Sequence, residues 1–109
     1  MTETSTLVLI TTTFENEQDA ERLARILLEQ RLVACARISV AGKSMYWWQG
    51  RISEAREYEL TLKSSRELYP EIEALIQAEH PYQTPEIVAT AFVAGSAAYF
   101  AWMEEELRQ

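Results

Sequence analysis

The chain has 109 residues, 48% of them apolar, with 17 acidic against 10 basic side chains and a formal net charge of -7. Such a length predicts one domain, residues 1–109, with a single core and a large exposed surface. The acid excess argues against nucleic acid and anionic membrane as partners, because both call for clustered Lys and Arg, and leaves cations or neutral ligands.

The first element is residues 6–13, where Leu7, Val8, Leu9 and Ile10 are continuously apolar before a threonine run, the pattern of a central strand buried on both faces. Asn16 with Asp19 is a capping signal for a helix over 16–30, whose Ala20, Leu23, Ala24, Leu27 and Leu28 recur at helical spacing. Residues 33–48 then alternate: Ala34, Ala36, Ile38 and Val40 point one way, Cys35, Arg37 and Ser39 the other, with Gly42 as a bulge or bend. After Gln49-Gly50 a second alternating run, 51–64, places Tyr58, Leu60 and Leu62 on one face and Glu57, Glu59, Thr61 and Lys63 on the other. The two runs form a hairpin longer than ordinary strands, which leaves Tyr46, Trp47 and Trp48 near its tip without cover from their own chain.

Ser64 with Glu67 spells a capping box for a helix through Leu68, Ile72, Leu75 and Ile76. Proline excludes the residue before it from helix, so this helix ends at His80-Pro81-Tyr82-Gln83-Thr84-Pro85-Glu86, which contains the only histidine and two of the three prolines. Residues 86–94 read as a strand, and Ser96 caps a last helix with Tyr99, Trp102, Met103 and Leu107 on one side and a fraying acidic end, Glu104-Glu105-Glu106. Two β-α-β units in tandem predict an α+β, ferredoxin-like βαββαβ antiparallel sheet with long hairpin strands and an extra C-terminal helix, whose open face carries Cys35, Arg37, Ser39, Glu57, Glu59, Thr61 and Lys63. One cysteine excludes a disulfide within the chain, residues 1–6 carry no basic side chain, and the apolar run 7–10 is too short to span a bilayer. The expectation is a soluble cytoplasmic protein.

The combination of His80-Pro81-Tyr82-Gln83-Thr84-Pro85-Glu86, Leu32-Val33-Ala34-Cys35-Ala36, Tyr46-Trp47-Trp48-Gln49-Gly50 and Leu62-Lys63-Ser64, with Tyr99 and Trp102 near the end, resembles the CutA family of divalent-cation tolerance proteins. The resemblance covers residues 7–108. It implies a tight homotrimer of interlocking hairpins, linked to tolerance of copper and other divalent metals, with copper bound through His and Cys in some members. Those members can carry a second histidine where this chain has Glu79 and a cysteine where it has Thr11-Thr12-Thr13. His80, Cys35 and Glu79 are therefore the candidate metal ligands for a weakly bound copper or other divalent cation, with subunits pooling ligands. A second candidate site is an inter-subunit pocket formed by Trp48, Glu59, Lys63, Tyr82, Gln83, Thr84 and Glu86, with Lys63 paired to a carboxylate. No nucleophile and base stand at catalytic spacing, so an enzyme is not expected. The alternative is a small-ligand sensing or signalling trimer like the PII proteins, against which stands the lack of a glycine loop to cradle phosphate.

Overall fold

The computed structural model describes residues 6–108; the reading of residues 1–5 as a segment without basic side chains lies outside the described residues. The elements run β1 (Leu7–Phe14), α1 (Glu17–Glu29), β2 (Cys35–Ile38), β3 (Gly42–Trp48), β4 (Arg51–Ser65), α2 (Tyr69–Glu79), β5 (Val88–Ala91) and α3 (Ala97–Glu106). The sheet order is β2-β4-β1-β5 with antiparallel neighbours, and β3 extends it by pairing with β4. This is the α+β ferredoxin-like βαββαβ arrangement, with the first hairpin strand interrupted at residues 39–41 into β2 and β3.

Strand parity sets the layers. Val8, Ile10 and Phe14 of β1 and Leu60 and Leu62 of β4 join Leu23 and Leu27 of α1 and Ile72 and Ile76 of α2 in the main core. On the other face, the register aligns Cys35 with Lys63 and Arg37 with Thr61 across β2 and β4, and Thr13 with Glu59 across β1 and β4, the polar ladder read from the sequence. Leu7 shares that face, and there Phe100 and Met103 of α3 pack on it beside Ala34 and Phe92.

The helix caps show where local pattern and tertiary structure part. Asn16 caps α1, its side-chain oxygen accepting from the Gln18 amide at 2.8 Å, and Ser96 caps α3 by accepting from the Tyr99 amide at 3.1 Å. Ser64 caps nothing. It lies in β4, fully buried, and donates to the Leu32 carbonyl at 2.5 Å, because the sheet claims the chain as far as Ser65. The helix begins later, at Tyr69, after a turn in which the Ser65 hydroxyl accepts from the Leu68 amide at 3.3 Å. The face of α3 also differs from expectation: Phe100, Met103 and Leu107 are buried, while Tyr99 and Trp102 face outward. At the acidic end of α3, expected to fray, Arg31 Nη1 donates to both the carbonyl and the carboxylate of Glu106 at 3.0 Å. The expected strand 86–94 is a four-residue edge, Val88–Ala91, paired only with β1.

Gly95 leads into α3 under the ring of Phe100, close enough that an added Cβ would overlap ring atoms. Gly95→Ala is expected to displace Phe100 from Leu7 and Met103 and to cost about 1–3 kcal/mol in urea unfolding. An unchanged midpoint would mean that the ring moves aside freely.

Candidate functional site

The proline joint after α2 is held by the ring of His80. His80 is the C-cap of α2, in extended conformation because Pro81 follows, and its backbone amide still donates to the Ile76 carbonyl. Its side chain is 7% exposed. Nε2 lies 2.8 Å from the Thr13 carbonyl oxygen and Nδ1 lies 3.1 Å from the Tyr82 amide nitrogen. A carbonyl only accepts and an amide only donates, so Nε2 carries the proton and Nδ1 is bare. The ring stacks on Phe14 at 4.1 Å between centroids and 13° between planes, and Tyr82 tilts against it at 4.7 Å. Burial holds the imidazole below its ordinary pKa, outweighing the Thr13 carbonyl and the charges of Asp19 and Glu57, which act the other way.

In that arrangement both ring nitrogens of His80, a candidate metal ligand, are engaged within the chain, and burial favours the neutral form. The other candidate ligands lie elsewhere. Glu79 forms an ion pair with Arg22 of α1 at 2.7 Å, and Cys35 sits on the open sheet face opposite Lys63. Among the described residues, no three His, Cys, Asp or Glu side chains are grouped to hold a metal ion.

Tyr82 continues the chain of contacts. Its hydroxyl donates to Glu57 Oε2 at 2.6 Å, and burial first, then the bond and charge of Glu57, then the charges of Glu15 and Tyr46, push its pKa up. Glu86 is also pushed up, by burial first, then by the negative charges of Glu59 and Glu57. Above these residues the hairpin arm of β3 and β4 encloses a cleft of about 710 Å³. The arm contributes Ser44, Met45, Tyr46, Trp47, Trp48 and Glu57; the joint contributes Tyr82, Gln83, Thr84 and Glu86; Thr13 and Glu15 close its base.

Of the residues expected at an inter-subunit pocket, a single chain already brings Trp48, Tyr82, Gln83, Thr84 and Glu86 together, because the arm stands over the joint of its own chain. Glu59 and Lys63 do not line it. Among the described residues of the chain Lys63 meets no carboxylate; its Nζ donates to the Tyr99 hydroxyl at 2.9 Å and lies 5.0 Å from that ring's centroid. Thr13, Glu15, Ser44, Met45, Tyr46, Trp47 and Glu57 line the cleft without having been expected at the pocket. Strand parity did place Glu57 on the open face, but only the contact with Tyr82 singles it out.

The profile of the CutA1 divalent ion tolerance protein family matches residues 8–106. The chain belongs to the CutA1 family. It is 32% identical to the divalent-cation tolerance protein CutA of Pyrococcus horikoshii over 94% of this chain and 100% of that one, and 37% identical to the CutA of Thermus thermophilus over 91% and 94%. Among solved structures it is similar to CutA1 from Oryza sativa, with a TM-score of 0.92 at 27% identity over 98% of this chain and 99% of that one. It is also similar to the periplasmic divalent cation tolerance protein CutA of Archaeoglobus fulgidus, with a TM-score of 0.90 at 33% identity over 94% and 99%.

The neutral, buried His80 makes stability depend on pH with a definite sign. Its folded pKa is lowered, while in the unfolded chain the ring titrates near about 6.5, so stability is lost as pH falls from that value toward the folded one. Glu86, raised in the fold, acts oppositely and gains stability as pH falls through its folded value. His80→Gln is expected to cost about 1–3 kcal/mol at neutral pH and to flatten the pH dependence just below pH 6.5 in urea unfolding. A slope as steep in the variant as in the parent would assign the titration to another group.

Proposed function

We propose that the chain is a non-catalytic, cytoplasmic divalent-cation tolerance protein that works as a homotrimer and binds copper or another divalent cation weakly through carboxylates. The observation that carries this reading is the group Glu57, Glu59 and Glu86. Burial first, then the charges of Glu59 and Glu57, raise Glu86, and among the described residues none of the three forms an ion pair. A divalent cation relieves that repulsion. Copper is held most tightly of the common divalent ions even by oxygen donors, and carboxylates without nitrogen or sulfur hold it weakly. The free thiol of Cys35 accords with a reducing compartment, and no helix among the described residues is long and apolar enough to cross a membrane.

Assembly is supported by what the chain leaves uncovered. Met45, Trp47 and Ile52 alternate onto the face of the arm away from Glu57 and are 62%, 73% and 63% exposed, and all four residues of β5 are exposed along a free sheet edge. An apolar patch beside an unpaired edge calls for a neighbouring copy. Sedimentation at micromolar concentration is expected to give three copies, and Trp47→Asp is expected to give folded monomer; a parent chain that sediments as monomer would remove the trimer from this reading.

For the cation, calorimetric titration with Cu2+ is expected to lose about tenfold or more in affinity when Glu57 and Glu86 are both changed to Gln. Affinity is also expected to fall with pH as protons compete for the raised Glu86, while His80→Gln and Cys35→Ser leave it unchanged. Binding lost in either of the latter variants would relocate the ligands.

A second reading, a small-ligand sensing or signalling trimer, is favoured by the cleft itself, whose size and aromatic walls exceed what a metal ion uses.

A further inference from the structure

The lining of the cleft contains three carboxylates, Glu15, Glu57 and Glu86, and no Lys, Arg or His. On the arm, Lys43 alternates onto the outer face, where it reaches Glu54 at 3.5 Å, and Arg51, opposite Trp48 at the tip, is not part of the lining. Tyr46 and Trp48 share the strand face of Glu57, and Tyr82 faces them from the joint with its hydroxyl proton already given to Glu57. Its phenolic oxygen is therefore left as an acceptor. Every charged group in this lining is thus negative, its donors are neutral groups such as the Gln83 amide and the indole N–H groups, and much of the remaining wall is aromatic.

Two classes of occupant fail against that lining, and a third leaves part of it unused. Phosphates and other anions meet only negative charge. A neutral ligand covers the rings but leaves Glu86 confronting Glu57 and Glu59, the repulsion that with burial already raises its proton affinity. A divalent cation answers the charge, as in the metal reading above, but makes no use of an indole and two phenol rings and so does not account for the aromatic wall.

From this we infer that the cleft binds a compact organic ammonium ion, with the charged nitrogen between Glu57 and Glu86 and the attached carbons against Trp48, Tyr46 and Tyr82. Aromatic faces carry the negative end of a ring quadrupole, so they attract an alkylammonium as well as cover its apolar surface. A volume of about 710 Å³ lies within the range of roughly 300–1,000 Å³ usual for small-molecule sites. The inference rests on the second reading above, small-ligand sensing, and names its ligand class.

Choline and its neutral isostere 3,3-dimethylbutan-1-ol separate charge from shape. Titrating the purified full chain, followed by tryptophan fluorescence and saturation-transfer NMR, is expected to give saturable choline binding at least about tenfold tighter than that of the alcohol. Glu57→Gln, which preserves an acceptor for Tyr82, and Trp48→Leu are each expected to weaken choline about fivefold while thermal unfolding confirms the fold; Glu86→Gln provides the same comparison should Glu57→Gln fail to fold. Equal binding of choline and the alcohol, no saturable response to choline, or unchanged affinity in these variants overturns the inference. A response to ATP without one to choline overturns it while keeping a small-ligand sensor. Binding of Cu2+ without choline overturns it while keeping the metal reading, and binding of choline without Cu2+ supports it while removing that reading.

Discussion

The imidazole of His80 joins three parts of the molecule that no secondary-structure bond connects. Its ring proton goes to the Thr13 carbonyl at the end of β1, its bare nitrogen receives the Tyr82 amide of the proline joint, and its face lies on Phe14. A buried ring nitrogen left without a partner costs about 1–3 kcal/mol, so the two bonds are mutually required: each is formed because the other fixes the tautomer. Tyr82 is the next link. Held at its amide by His80 and at its hydroxyl by Glu57, it ties the end of α2 to the middle of β4. Without that tie, nothing in the joint would place Glu86 beside the carboxylates of the hairpin.

The arm that roofs the cleft follows from the length of β4. Fifteen residues of strand extend roughly 50 Å, and the molecule's longest dimension is 48 Å. One half of β4, Tyr58–Ser65, lies between β1 and β2 with the helices behind it; the other half pairs only with β3 and has no core behind it. The turn at its tip is made by Gln49 and Gly50, both at positive φ, 50° and 78°, which matches the twist of a two-residue hairpin. The glycine adopts that conformation without strain, but the glutamine does not. The arm is thus rigid enough to stand clear of the body and apolar enough on its outer face to need cover.

Strand parity made much of this legible. Alternation put Cys35, Arg37, Glu57, Glu59 and Lys63 on one face, and the register agrees residue by residue, because a period of two admits only one other choice and that choice would bury the charges. Family resemblance identified the joint as a place of interest. Three things were not legible. Ser64-x-x-Glu67 has the local form of a capping box, but competition from the sheet places the serine in a strand, and only tertiary pairing decides between them. The buried side of α3 turned on whether Leu7 or solvent faces it, a contact over ninety residues away in sequence. Whether His80 was a free ligand or a committed donor and acceptor depended on Thr13, whose backbone carbonyl carries no sequence signal at all.

The distribution of the basic side chains completes the account of the cleft. Arg22, Arg25, Arg31, Lys43 and Arg108 meet Glu79, Glu21, Glu106, Glu54 and Glu71 in turn, all at partly exposed positions away from the joint. Exposed pairs of this kind contribute about 0–1 kcal/mol each, so they matter little to stability. Their effect is on the field: five acids are locally balanced, whereas Glu57, Glu59 and Glu86 join no ion pair among the described residues. Part of the unbalanced charge therefore lies where the walls are aromatic and Glu86 is partly buried, which strengthens it. Tyr82 stands at the boundary of that region, with its hydroxyl on Glu57 inside the cleft and its amide on His80 beneath it. Any cation that draws on Glu57 consequently acts on a residue whose backbone is already bonded to the end of α2.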